Sequence, residues 1–98
     1  MAQFDYYDGP SAAYLVDIQS VLLSHLNTAI VIPLFQRDRV PNPVRHLHPT
    51  FEIDGIVFIL ATHLLTAIPS RELGNPRGSL ARHRDEILRA LDTLLVGV

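Results

Sequence analysis

Five histidines carry most of the chemistry on offer in this chain of 98 residues, which contains no cysteine. His46 and His48 share one face if their segment is extended, because side chains alternate along a strand. His63 arriving from another strand would complete three imidazoles of the kind zinc accepts. The pattern stops there: no H-E-x-x-H occurs and no carboxylate stands at ligand spacing, so the histidines read as surface or capping residues. No metal and no cofactor are expected. Asp17, Ser20 and any histidine have the residue types of a hydrolytic triad, but no G-x-S-x-G turn presents the serine. Gly74 and Gly78 are not followed by the G-K-[ST] of a phosphate loop. With thiolate chemistry also excluded, no catalytic residue is assigned and the chain does not read as an enzyme.

Composition narrows the remaining classes. Hydrophobic residues make up 48% and charged residues only 18%, so less of the surface can be charged than is usual, which favours an oligomer or an obligate partner. The formal net charge is -2 and the pI about 6.2, which argues against direct binding to a nucleic-acid backbone. All the basic residues are arginine. No eighteen-residue apolar run suits a membrane, and the opening MAQFDYYDG lacks the basic and apolar regions of a secretion signal. The expectation is one soluble cytoplasmic domain, residues 1–98.

The elements that must position these side chains follow from local pattern. Gln3 to Tyr7 suits a short strand before the turn residues Asp8-Gly9-Pro10-Ser11. Tyr14 to Leu23 reads as a strand, although its length also allows a helix. Thr28 to Ile32 is the most strand-like stretch, ended by Pro33, and a hairpin joins these two runs. Gln36 to Pro43, with its charges and prolines, is an exposed loop. Thr50 to Leu60 contains Asp54-Gly55, a hairpin turn with Ile56 to Leu60 as the returning strand. Ala61 to Ile68 is helical or extended and stops at Pro69. Arg71 to Gly78 is a second loop.

The last twenty residues form an amphipathic helix running into an apolar tail. Ser79 is the expected N-cap, with the helix starting near Leu80. Leu80, Ile87, Leu88, Leu91, Leu94 and Leu95 make one stripe at 3.6 residues per turn. Arg82 with Glu86 and Asp85 with Arg89 are spaced for ion pairs on the wet face. Ile87, Leu91 and Leu94 are candidates for a two-fold seam between copies. The tail either packs back on its own core, frays, or is covered by a partner.

The order of short motifs resembles the CcdB family, the toxin half of bacterial toxin–antitoxin pairs. The residues that carry the resemblance are Gln3-Phe4, Val16-Asp17-Ile18-Gln19-Ser20, Val31-Ile32-Pro33-Leu34 and His48-Pro49 leading into Phe51 to Ile53. They continue with Ala67-Ile68-Pro69, Leu80 to Ile87 and the terminal Gly97-Val98. The resemblance implies a mainly β fold, an SH3-like antiparallel barrel with one C-terminal α-helix, assembled as a homodimer. It further implies a grip on the A subunit of DNA gyrase, neutralisation by a CcdA-like antitoxin and co-repression of transcription. The gyrase-contacting tail of the family falls on Leu95, Val96, Gly97 and Val98, with Asp92 one turn earlier and a supporting apolar pair at Leu22 and Leu23. Where the best-studied toxins of the family carry an aromatic pair ending in tryptophan, this chain carries Leu95 and Val96. Where they carry asparagine, it has Asp92.

Overall fold

The computed structural model describes residues 2–97, and within them a curled antiparallel sheet carries one C-terminal helix packed on its larger core. The strands are β1 (Asp5–Asp8), β2 (Tyr14–Asp17), β3 (Thr28–Gln36), β4 (Thr50–Ile53), β5 (Ile56–Leu60), β6 (Thr66–Pro69) and β7 (Gly78–Ser79). They pair in the order β4-β5-β3-β2-β1-β7, with β6 also on β3. The helix α1 spans Arg84–Leu95. The mainly β class with a single closing helix is therefore the architecture found.

Alternation along β3 explains why the sheet is buried on both faces. Ile32 and Leu34 point into the larger core with Val16, Phe51, Phe58 and Leu60. Ala29 and Val31 point the other way, into a smaller core with Tyr7 and Leu73. A strand that buries both faces needs a continuous apolar run, which is what β3 has.

Pro33 does not end β3, contrary to the expectation from its ring. On one side β3 pairs with β6 along Thr28–Val31 and with β5 along Leu34–Gln36. Pro33 falls in the gap between those two partners, and its carbonyl accepts the Ala61 N–H at 2.9 Å. N–H and C=O of one residue point to the same side of an antiparallel strand, so the missing donor faces the gap and removes no ladder bond.

Three further boundaries differ from expectation for local reasons. Phe4 has φ +72°, so β1 begins only at Asp5. The strand from Tyr14 stops at Asp17 and does not continue to Leu23. The Asp17 carboxylate takes the Gln19 N–H at 2.9 Å and Ser20 Oγ takes the Leu22 N–H at 3.2 Å, which starts a 3-10 turn over Val21–Leu23. Such side-chain bonds to nearby backbone compete with a ladder. Ser79 Oγ accepts the Ala81 N–H at 3.1 Å, but Ser79 ends β7 and is not the N-cap of α1, which is His83. The first turn, Ala81–His83, is 3-10, and α1 proper begins at Arg84.

Asp54-Gly55 behaves as its chemistry demands, with φ +52° and +81° in the turn between β4 and β5. These are the values a two-residue type I′ hairpin needs. The open alternative at Ala61 to Ile68 resolves into both forms: a 3-10 turn, Thr62–Leu64, followed by β6. Gly78 is needed for a different reason. It pairs with Tyr6 across β1 and β7, and any Cβ there would collide with the Tyr6 ring.

Candidate interaction surface

Helix α1 is fastened on one side and bare at its end. Ile87 and Ala90 are fully buried, and Leu80, Leu88 and Leu91 pack with Ile87 on the larger core. Asp85 and Glu86 in the first turn favour the positive end of the helix dipole. Beyond that anchored face Leu95 is 76% exposed and Val96 69% exposed. Gly97 explains how they are held. At φ +79° its N–H returns to the Thr93 carbonyl at 3.1 Å, while the Val96 N–H reaches Asp92 at 2.8 Å. This is a left-handed C-terminal cap, which glycine enters without steric cost. The apolar pair therefore sits on the last turn of a closed helix. Val98 lies outside the described residues. Asp92, also exposed, places a negative charge in a last turn that has no basic residue, against the dipole.

A second exposed apolar group lies in the connection between β2 and β3. Leu22 is 82% exposed, and Val21, Leu23 and Leu26 are exposed beside it. Polar clamps hold this loop. Gln19 Nε2 donates to the carbonyls of Leu23 and Thr28, each at 3.1 Å, and the Ser70 N–H donates to Asn27 O at 2.8 Å. Leu22 and Leu23 thus stand on a braced turn, although no hydrogen bond or ion pair among the described residues joins them to the end of α1. Gln19 belongs to a motif named from the sequence, but its bracing of the loop is not legible there. Its bonds span the loop, and only the closing of the β2–β3 hairpin reveals them.

The helix surface departs from expectation in two respects. Neither Arg82 with Glu86 nor Asp85 with Arg89 forms an ion pair among the described residues. Glu86 instead meets His83 Nδ1 at 3.0 Å, Asp85 meets Arg84 at 4.0 Å, and Arg89 Nη2 lies 3.4 Å from His46 Nε2. Ile87 is a core residue of its own chain with no exposed surface. Leu91 and Leu94 stay half-buried on the same helix.

The polar residues weighed for catalysis or metal binding are wired to other ends. Asp17 and Ser20 accept backbone N–H groups, and neither hydrogen-bonds a histidine among the described residues. The Asp17 carboxyl is pushed above its ordinary value by burial, offset in part by the Gln19 N–H. Burial likewise raises the Tyr7 hydroxyl, which has no partner among the described residues. His48 and His63 do meet, Nε2 to Nδ1 at 2.8 Å. But His48 Nδ1 accepts the Val44 N–H at 2.8 Å, so Nε2 must keep its hydrogen. A metal at Nε2 would require the ring to lose that last proton, so the pair does not fit a metal ion. Among the described residues no group of three or more ligating side chains is assembled.

Compared with known families, the chain is matched by the model of the CcdB protein over residues 3–97. It belongs to the CcdB family. No curated protein matches it. No described helix is long and apolar enough to cross a membrane.

Proposed function

We propose that this member of the CcdB family is the toxin of a toxin–antitoxin module, acting as a homodimer in the cytoplasm on the A subunit of DNA gyrase. The contact would run through Leu95, Val96, Gly97 and Val98, with Asp92, Leu22 and Leu23 in support. A CcdA-like antitoxin would neutralise it. The observation that carries this reading is an exposed apolar pair on a capped helix end whose opposite face is locked into the core. A presented patch of this kind supports inhibition by contact and not by reaction. Expression without an antitoxin should arrest growth with a DNA-damage response, and normal growth at full expression would overturn the reading. A stable monomer in sedimentation at micromolar concentration would remove the homodimer. If Leu94 lines its seam, Leu94→Asp should dissociate it, because a buried charge would lack a partner.

A second reading has its own support in the residues at the helix end. A tryptophan can sandwich a target guanidinium, a contact worth about 0.5–2 kcal/mol, and Val96 has no π face. Asp92 adds a charge where the family has a neutral amide. In this reading the protein is an interaction module that binds an antitoxin while its hold on gyrase is lost or redirected. Within this reading, Val96→Trp combined with Leu95→Phe locates the loss. Gain of gyrase binding means that only the tail has drifted, and no gain means that the remainder of the surface has diverged as well.

A further inference from the structure

The histidines that attract attention in the sequence are explained by neither reading. We propose that His46, His48 and His63 form a proton-sensitive clasp that fastens the Val40–Pro49 loop to the body of the domain and releases it in mild acid. The inference is independent of the target and of toxicity.

The clasp has two arms. In one, the Val44 N–H donates to His48 Nδ1 and His48 Nε2–H donates to His63 Nδ1, both at 2.8 Å, tying the loop to the Thr62–Leu64 turn. In the other, the Arg89 guanidinium on α1 approaches His46 Nε2 at 3.4 Å. Every one of these rings uses an unprotonated nitrogen as acceptor. His48 offers Nδ1, His63 offers Nδ1 and His46 offers Nε2, so the arrangement exists only while all three are neutral. A proton added to His63 Nδ1 faces the Nε2–H of His48, and one added to His48 Nδ1 faces the Val44 N–H. A proton on His46 faces a guanidinium. Switching His48 to its Nδ1–H tautomer would let Nε2 accept from a protonated His63 but would set Nδ1–H against the Val44 N–H, so the clash is moved and not removed. The loop is a natural element to give way, because it holds both Asn42 and His46 in left-handed backbone, at φ +53° and +68°.

The surrounding charges act in the same direction. Arg39, from the turn after β3, lines the cavity of about 450 Å³ that His48 and His63 border, and the remaining walls are neutral, including Phe35, Ala61 and Leu64. Around His46 stand Arg45 on the loop and Arg89 on α1, together with Glu86, whose carboxylate is turned to His83 Nδ1 at 3.0 Å. Burial holds His48 below the ordinary imidazole value, with His63 adding to the effect. Partial removal from water, then Arg89, then Arg45 do the same for His46. A depressed folded value means that the closed loop binds fewer protons. Its stabilisation is complete above the ordinary value of 6.5 and is lost as pH falls through the lowered values. Release would open the cavity over Phe35 and Leu64.

Amide exchange on the full chain, corrected for intrinsic rates, tests this between about pH 8 and pH 5, the range in which imidazoles change charge. The protection of the Val44 amide should fall by about tenfold or more, the scale of one lost hydrogen bond, while amides of β2 and β3 keep theirs. The double variant His48→Gln, His63→Gln should flatten most of that dependence. Equal protection of Val44 at both ends of the range would overturn the proposal, as would an undiminished dependence in the double variant. Should the variant fail to fold, ring-nitrogen chemical shifts of the wild-type protein decide the matter. Neutral His48 must be the Nε2–H tautomer at about pH 8, and an Nδ1–H tautomer or a charged ring there overturns the clasp.

Discussion

The end of α1 and the histidine loop are both exposed, and they are held by opposite kinds of force. Leu95 and Val96 ride on a helix fixed by the buried Ile87 and closed by backbone bonds into Gly97, none of which titrates. The Val40–Pro49 loop rests on imidazole nitrogens whose bonds depend on pH. The difference shows how one small domain can present one surface permanently and another conditionally. Arg89 connects them, since it sits on the helix and touches the loop.

Truncating the anchor should disturb both regions most. Ile87→Ala removes a side chain with no exposed surface and should cost about 2–5 kcal/mol in denaturant unfolding. A loss below about 0.5 kcal/mol, the range of ordinary surface changes, would show that Ile87 does not anchor the helix. Gly97→Ala should separate the two regions. Open space surrounds Gly97, so the cost is the left-handed backbone alone, about 1–2 kcal/mol of local helix-end stability. It should appear as faster exchange at Val96 with Val44 unaffected.

Asp92→Asn should stabilise the helix by about 0.3–1 kcal/mol at low ionic strength, since a charge opposed to the dipole is removed. The gain should fade in salt, and a salt-independent change would show that the dipole is not its cause. The smallest effect on global stability belongs to Arg89→Gln, expected within about 0.5 kcal/mol for an exposed side chain. It should nonetheless raise the His46 pKa toward its ordinary value, because a neighbouring cation is gone. NMR titration of His46 reads this directly, and an unmoved titration would detach the helix from the loop.

Legibility in the sequence followed the range of the interaction. The Asp54-Gly55 turn depends on two adjacent residues and is found as the pattern implies. Ser79, by contrast, accepts the Ala81 N–H without capping α1, and of the helix stripe Leu80, Ile87, Leu88 and Leu91 reach the core while Leu95 stays outside. The tolerance of Pro33 within β3 depends on where two other strands, β5 and β6, end, which no local pattern carries. Ile87 and Leu91 share one stripe at sequence level. Only packing separates a residue committed to the core from one left half-exposed. Gly97 illustrates the same limit from the other side, since a glycine matched to a family's contact tail also proves to be the cap that closes the helix.

By itself the sequence determined the mainly β class with one closing helix, membership of the CcdB family and an apolar helix end, because alternation, helical period and turn chemistry are local properties of the chain. The tertiary structure decided which apolar residues remain outside and which imidazoles face each other. His48 and His63 stand fifteen positions apart, as part of a hydrogen-bonded pair that exists only once β4 and β5 have folded back and brought the Thr62–Leu64 turn beneath the loop.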